Sequence, residues 1–378
     1  MKKILKNQAG FSTVAIIVAV VVVIAAIGIV YILHPGKEEP IKIGAVLSLS
    51  GPGQYSGVEV RDGMLLAVDE INSRGGINGK KIELVIEDHK TNPEEGKEAF
   101  DKIERTHHPV LYLSTHSSVA MALVPLAEKH QVVLVCLLAT APKITEHKEW
   151  VFRYWPTAEA EVPPILSILE ELKVKKLGIL YQDNEFGKSI LELLQKGFKR
   201  TGGIVEAEDL KPAITDLKES ITGLIDMEAI YVTGYIGLLE NIFKQLKEEN
   251  FKGLILCGNT ATFPTIVTIP EAQGMYVAAP IIYNPNFSFA KEREGKYVTR
   301  YDKPFNHAAA VGYDFIRLLA GMLEDEEVSR ESIKSLLEEG FIYSGVFGSV
   351  DLKPGEHDIT FTLHPARIVD GEVKYLHW

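Results

Sequence analysis

Ser117 is the residue whose type and place most directly suggest binding chemistry. It follows a strand-like apolar run, PVLYLS, and opens a stretch with helical spacing, Ser117 to Lys129. The start of a helix leaves N–H groups without partners and presents the positive end of the helix dipole, so a carboxylate is stabilised there. A serine hydroxyl adds one more donor. A plainer reading stays open, in which Ser117 only caps the helix and Thr140, in the segment ATAP, only shapes a turn. The Gly-rich turn SGPGQYSG, which holds Tyr55 and Ser56, lacks the GxxxxGK[ST] pattern of a phosphate loop.

Other chemistries find little support. Eleven histidines raise the question of metal, but His107 and His108 are adjacent and point apart in a helix, and no H-E-x-x-H occurs. His116 stands beside Ser117, within reach of a ligand; the others read as solvated or capping residues. Cys136 and Cys257 lie inside apolar runs without C-x-x-C spacing, so they read as buried free thiols and not as zinc ligands. No G-x-S-x-G elbow or G-x-G-x-x-G fingerprint is present. No catalytic residue, metal or cofactor is assigned. A net charge of −11 with no basic block argues against nucleic acid, whose affinity comes from clustered Lys and Arg.

The elements that must hold these residues begin at Ile41. IKIGAVLSL is a buried-strand run, and Val58 to Asn72 carries apolar residues at helical spacing. Strand and helix then alternate through KIELVIED, 92–106, PVLYLS, 117–129, QVVLVCLL, KKLGILYQD, 188–200, GGIVEAEDL, 215–224, AIYVTG, 238–249, GLILCGN and GMYVAAP. Such alternation predicts an α/β fold with parallel sheets covered by helices on both faces. The tail predicts helices near 291–302, 306–324 and 330–339, strands near 345–352 and 358–367, and a hairpin with an Asp-Gly turn in IVDGEVKYL.

The first forty residues are of another kind. Residues 11–33 contain no charge over 23 positions. As a helix they span roughly 35 Å, enough for a bilayer core and too long for the apolar stretch of a secretory signal. Residues 11–33 are therefore expected to form one uncleaved transmembrane anchor. Lys2, Lys3 and Lys6 place residues 1–10 in the cytoplasm, as a short stub. The linker 34–40 then holds an extracytoplasmic domain near a cell membrane.

The ectodomain resembles a known family. IKIGAVLSLSGPGQYSG, INSRGGINGKKIEL, SSVAMALVPLAEKHQV, ATAP, YQDNEFGKSILELL, AAVGYDFIRLLAGML and SGVFGSVDLKPGEHD occur in its order and spacing over about residues 41–375. They are similar to the branched-chain amino-acid-binding (leucine-binding-like) receptors of ABC importers, which have the type I periplasmic-binding fold. The resemblance implies two doubly wound βα lobes joined by three crossovers, 41–157 with 281–345 and 158–280 with 346–378. A small ligand would bind between them, at the carboxyl ends of the strands.

It also implies roles. Ser117 and Thr140 match the serine and threonine that hold a ligand carboxylate, with Ser118 and the backbone of Leu138 and Ala139 beside them. Phe186 and Tyr235 match aromatics of the second lobe, Tyr55 and Ser56 fall near the cleft, and Trp155 flanks the first crossover. Asn259 stands where amino-acid receptors carry the glutamate that pairs with the ligand ammonium, and an amide pairs with a cation less strongly. Either the ligand is a carboxylate or amide without an ammonium, or another acid such as Asp183 or Glu185 takes over, or the ungapped count that places Asn259 is off by a residue or two. The family's disulfide positions hold Thr91 and His116. The function implied is a membrane-anchored receptor that hands an amino-acid-like or carboxylate ligand to ABC importer permease subunits. The same clamp could instead serve as a sensor signalling to a membrane partner, and less readily as an enzyme scaffold.

Overall fold

The computed structural model describes Val20 and residues 39–211, 214–281 and 288–376. The expected stub 1–10, the anchor 11–33 apart from Val20, and the linker up to residue 38 lie outside the described residues. Among the described residues no helix is long and apolar enough to cross a membrane.

The apolar run at Ile41 forms β1 (Ile41–Leu47), buried at every position except Lys42. A strand with no solvent face belongs at the centre of a parallel sheet. It is followed by α1 (Gln54–Ser73), β2 (Ile82–Asp88), α2 (Pro93–His107), β3 (Leu111–Thr115), α3 (Ser117–His130), β4 (Val133–Leu137) and β5 (Val151–Arg153). These five strands make one sheet in the order β2-β1-β3-β4-β5, parallel throughout.

The second block repeats the design with α4 (Ala158–Glu171), β6 (Lys176–Gln182), α5 (Glu185–Arg200), β7 (Ile204–Leu210), α6 (Lys218–Gly223), β8 (Ala229–Thr233), α7 (Ile236–Glu248), β9 (Leu254–Cys257), α8 (Pro264–Val267) and β10 (Tyr276–Ala279). Then come α9 (Ser288–Tyr301), α10 (His307–Met322), α11 (Arg330–Glu338), the antiparallel pair β11 (Phe341–Ser344) and β12 (Ser349–Leu352), and β13 (His364–Val369) with β14 (Glu372–Tyr375). The second sheet runs β14-β13-β10-β9-β8-β6-β7, with β13 antiparallel to both its neighbours and every other pairing parallel.

The strand orders explain where a site can form. In the first sheet the chain leaves β1 for β2 on one side and returns to β3 on the other. In the second it does the same from β6 to β7 and β8. Each reversal opens a crevice at the carboxyl ends of the strands, flanked by the loops after β1 and β3, and after β6 and β8. Those loops and the helix starts that follow them carry Ser56, Ser117, Phe186 and Tyr235.

The tail departs from the sequence reading. Residues 345–348 are a turn, not strand, because Val346 and Phe347 donate their N–H groups to the buried Asp314 carboxylate (3.0 and 2.7 Å). Residues 358–363 form only isolated bridges. This stretch instead ties itself to the first sheet: Arg153 donates its N–H to the His357 carbonyl (2.8 Å), and the His357 ring stacks on Phe152. The Asp-Gly hairpin does form, with both turn residues at positive φ (Asp370 54°, Gly371 74°), as a type I′ turn requires.

Helices α1 and α10 pack backbone to backbone. A Cβ on Gly63 would stand 2.0 Å from the Ala309 carbonyl oxygen, whereas one on Gly321 would meet nothing within 4 Å. Gly63→Ala should therefore force the helices apart and cost about 1–3 kcal/mol. Gly321→Ala should be neutral or stabilise by up to about 1 kcal/mol, through helix propensity. Thermal unfolding of the two variants checks this; equal melting temperatures would show that the close approach is not under strain.

Candidate functional site

The two crevices face each other and close on a cavity that bounds about 450 Å³ of non-protein space, part of it open to solvent. One wall is built at the start of α3. Its N-cap, His116, sits at φ 68°, a strained conformation for a side chain with a Cβ, which turns the chain sharply out of β3. Ser117 follows, 2 % exposed. Its hydroxyl oxygen accepts from the N–H groups of Thr140 (3.1 Å) and Ala141 (3.3 Å). That fixes the 139–142 loop against the helix start and leaves the Ser117 O–H proton to point elsewhere.

The other side of the loop is held by Arg153, whose guanidinium donates to the Ala139 (3.0 Å) and Pro142 (3.3 Å) carbonyls and pairs with Asp358 (2.8 Å). Thr140 stands on this clamped loop. Its hydroxyl is buried and has no partner among the described residues. A buried polar group without a partner is costly, so an unfilled hydroxyl on a cavity wall is a donor waiting for an acceptor. Together the free hydroxyl, the Ser117 O–H and the N-terminus of a 14-residue helix make an anion corner.

The remaining walls are aromatic. Tyr235 meets His116 edge to face at 5.0 Å, and Phe186 stacks near Tyr235 at 6.4 Å. His307 lies between Phe263 (4.2 Å) and Trp155 (5.7 Å). Burial pushes both cavity histidines down to about 3, with nearby His89 adding to the effect at His116, so both are neutral near pH 7. The His116 ring lies 3.1 Å from both Ser56 Oγ and Thr115 Oγ1.

Asn259 faces the cavity from the turn after β9 and is 7 % exposed. Behind it lies Glu161 on α4, 1 % exposed. Its carboxylate accepts from the Tyr231 hydroxyl (2.9 Å) and from Asn259 Nδ2. Burial raises the Glu161 carboxyl to about 7, against the lowering effect of those two hydrogen bonds and of the Asn259 backbone.

The structure places eight of the eleven sequence candidates on the cavity wall: Ser56, Ser117, Leu138, Thr140, Trp155, Phe186, Tyr235 and Asn259. Three sit just outside it. Ser118 accepts from the Glu185 N–H across the mouth of the cleft (3.3 Å), Ala139 is turned to Arg153, and Tyr55 packs edge-on against Phe263 at 5.2 Å. Neither alternative acid reaches the cavity. Asp183 is held well down, to about 2, by hydrogen bonds from Lys188 and Lys211, and Glu185 lines a separate outer groove. Thr91 and His116 both brace the Gly-rich turn before α1. Thr91 Oγ1 accepts from the Gly53 N–H (2.9 Å), and His116 holds Ser56 three residues further on.

Sequence reasoning missed Phe263, His307, Thr260 and Glu161. Thr260 and Phe263 follow Asn259 in the turn after β9, and His307 directly precedes the motif AAVGYDFIRLLAGML, but neither their types nor their spacing marks them as cavity residues. Glu161 had a signal, an acid on the apolar stripe of Ala158, Val162, Ile165 and Ile168. Cys136 and Cys257 are buried and unbridged, and among the described residues no cluster of His, Cys, Asp and Glu could hold a metal ion.

The family model described as "Periplasmic binding protein" matches residues 40–372. This chain belongs to that family. Among relatives, the Leu/Ile/Val-binding protein homolog 3 of Brucella melitensis is 28% identical over 225 residues, which span 58% of this chain and 61% of that one. Among solved structures, the branched-chain amino acid transporter substrate-binding protein LivJ of Streptococcus pneumoniae, in complex with isoleucine, superposes with a TM-score of 0.80 at 25% identity, covering 88% of this chain and 97% of that one. A solute-binding protein of an ABC transporter from Rhodopseudomonas palustris, in complex with 3,4-dihydroxybenzoic acid, reaches 0.79 at 20% identity, covering 90% and 96%. The periplasmic-binding fold read from the sequence is thus established for residues 40–372, with the two facing sheets as its α/β frame.

The two hydroxyls of the anion corner in this periplasmic binding protein should behave differently when removed. Ser117→Ala orphans two buried N–H groups and should destabilise the fold by roughly 1–3 kcal/mol. Thr140→Val removes a hydroxyl that bonds nothing among the described residues, so stability should hold or rise. Melting temperatures without ligand read both; a large drop for Thr140→Val would mean that its hydroxyl has a structural partner.

Proposed function

We propose that this chain is the ligand-capturing receptor of an ABC importer, closing around a small carboxylate-bearing solute, amino-acid-like in size. The observation that carries the reading is the buried, unpartnered Thr140 hydroxyl beside Ser117 at the start of α3, inside the cleft between the two sheets. A carboxylate there would take hydrogen bonds from both hydroxyls and the helix N-terminus. Leu138, Phe186, Tyr235, Trp155 and Asn259 would surround the rest of the ligand, with Ser56 at the rim and Tyr55, Ala139 and Ser118 supporting the walls. Family membership and the solved relatives, one with isoleucine and one with an aromatic acid, support a solute of this class.

Two closing lobes would be 41–157 with 281–345 and 158–280 with 346–378. The hydrogen bonds of residues 357–359 to β5 favour moving the third crossover toward 361–364. The Ser118–Glu185 contact would then be one that forms on closure. The apolar run 11–33 would tether the receptor to the outside of the cell membrane, beside its permease partners.

A single observation favours an enzyme, the Ser56–His116 pair at 3.1 Å. It lacks what a nucleophile needs. His116 is buried and held at about 3, too weak a base, and its second nitrogen faces the Thr115 hydroxyl, not a carboxylate. A sensor would use the same clamp; co-purification with permease subunits separates receptor from sensor.

Native mass spectrometry of the full-length chain should reveal a co-purifying small carboxylate. Thr140→Val should weaken its binding by about 10- to 100-fold, the worth of one hydrogen bond to a charged group. Calorimetry reads the loss; wild-type affinity in that variant would remove the anion corner from the site.

A further inference from the structure

Glu161 is used neither by the anion corner nor by the aromatic walls. It is a carboxyl group in the interior with no cation among the groups that act on it. It lies so close beneath the turn after β9 that a Cβ on Gly258 would overlap its Oε1 at 1.8 Å. Only the absence of a side chain at Gly258 lets the acid reach the back of the cavity wall.

An unpaired buried acid is kept only where something compensates it. Inside the protein, Tyr231 and Asn259 do part of this. The Asn259 amide can serve an ionised carboxylate only through Nδ2, because a carboxylate accepts and does not donate. Its carbonyl oxygen is then the atom left for the cavity, with a negative charge directly behind it. The cavity thus has donors at Ser117 and Thr140 and an acceptor backed by an anion at Asn259. That polarity suits a ligand that carries both a carboxylate and an ammonium.

We propose that Glu161 is a positioning and specificity-determining residue that supplies, through the oriented Asn259 amide, the negative charge for a ligand ammonium group. The proposal rests on the carboxylate-receptor reading and makes the ligand a zwitterion. It assigns to a second layer of the wall the charge that the Asn259 side chain itself lacks.

The groups facing Glu161 are few. Tyr231 from β8 and Cys257 from β9 are both raised by burial and stay neutral, and Asn259 does not titrate. His116 and His307 across the cavity are neutral above about pH 5. Glu161 itself, raised to about 7 in the empty cleft, is then part-protonated at neutral pH. An arriving ammonium favours its ionised form, so binding expels a proton and weakens as pH falls through 7.

The test is calorimetry on the full-length chain with pairs that differ only in the ammonium: L-leucine against 4-methylpentanoate, and L-phenylalanine against 3-phenylpropanoate. In the preferred pair the amino acid should bind at least about tenfold tighter, with affinity rising from pH 6 to pH 8 and protons released near pH 7 in buffers of different ionisation heat. E161Q removes the charge, keeps one acceptor oxygen for Asn259 Nδ2 and turns its NH2 to the Tyr231 hydroxyl, which can accept. It should lose about tenfold or more for the amino acid, flatten the pH profile, and leave the deamino partner unchanged. The double variant E161Q/N259D places an acid at the cavity wall itself and should regain amino-acid binding, which a merely misfolded protein would not. Tighter binding of the deamino acids, or an E161Q protein with wild-type amino-acid affinity and pH slope, overturns the proposal while leaving the carboxylate receptor standing. Failure of every member of both pairs to bind wild type removes the carboxylate reading, and this inference with it.

Discussion

A closed cleft takes its polar walls out of water, and each polar group there must be paired, costly or waiting for a ligand. The cleft of this protein sorts cleanly by that rule. Ser117 Oγ accepts two backbone N–H groups, Arg153 satisfies two carbonyls of the same loop, and Glu161 accepts from Tyr231 and Asn259. The Thr140 hydroxyl alone among these is left over. These groups are satisfied within the protein except in what they offer the ligand, and a pre-formed wall avoids ordering itself at the moment of capture.

The shape of the anion corner is imposed at long range. The loop that carries Thr140 has little secondary structure of its own beyond one short 3₁₀ turn at Pro142–Ile144. Its shape is set by a fully buried guanidinium, which in turn depends on Asp358, more than two hundred residues later in the chain. Thr145 bonds to the same carboxylate (2.9 Å). Such a network gives no large gain in stability, because desolvation of the charges offsets their attraction. It fixes one geometry, and residues 357–359 of the tail are drawn onto β5 in doing so.

How much of this the sequence shows depends on the range of the interaction. The strand IKIGAVL, the helix opening at Ser117 and the Asp-Gly hairpin are local patterns, governed by burial, dipole and turn geometry within a few residues, and they are legible directly. The order of motifs along the chain carried the resemblance and with it most of the cavity wall. The parts that were not legible are set by partners distant in sequence. Residues 345–348 turn because Asp314 of α10 captures their N–H groups. Phe263 and His307 meet Trp155 and Tyr55 only once both sheets have formed.

Glu161 shows the same boundary at the level of function. Position by position, Asn259 looks like a lost charge. The structure shows the nearest acid one layer back, on a different helix, admitted by the missing side chain of Gly258. A carboxylate in contact with a ligand pairs with it directly. One placed behind an amide acts through an oriented dipole and over a longer distance, so its attraction is weaker, but the low dielectric of the interior screens it less than water would. The exchange also alters selectivity: the atom the ligand meets is a neutral acceptor, which tolerates an N–H donor of any charge, while the field behind it favours a cation. A wall built this way discriminates by electrostatics and hydrogen-bond direction separately, and the two can be changed by substitutions at different residues.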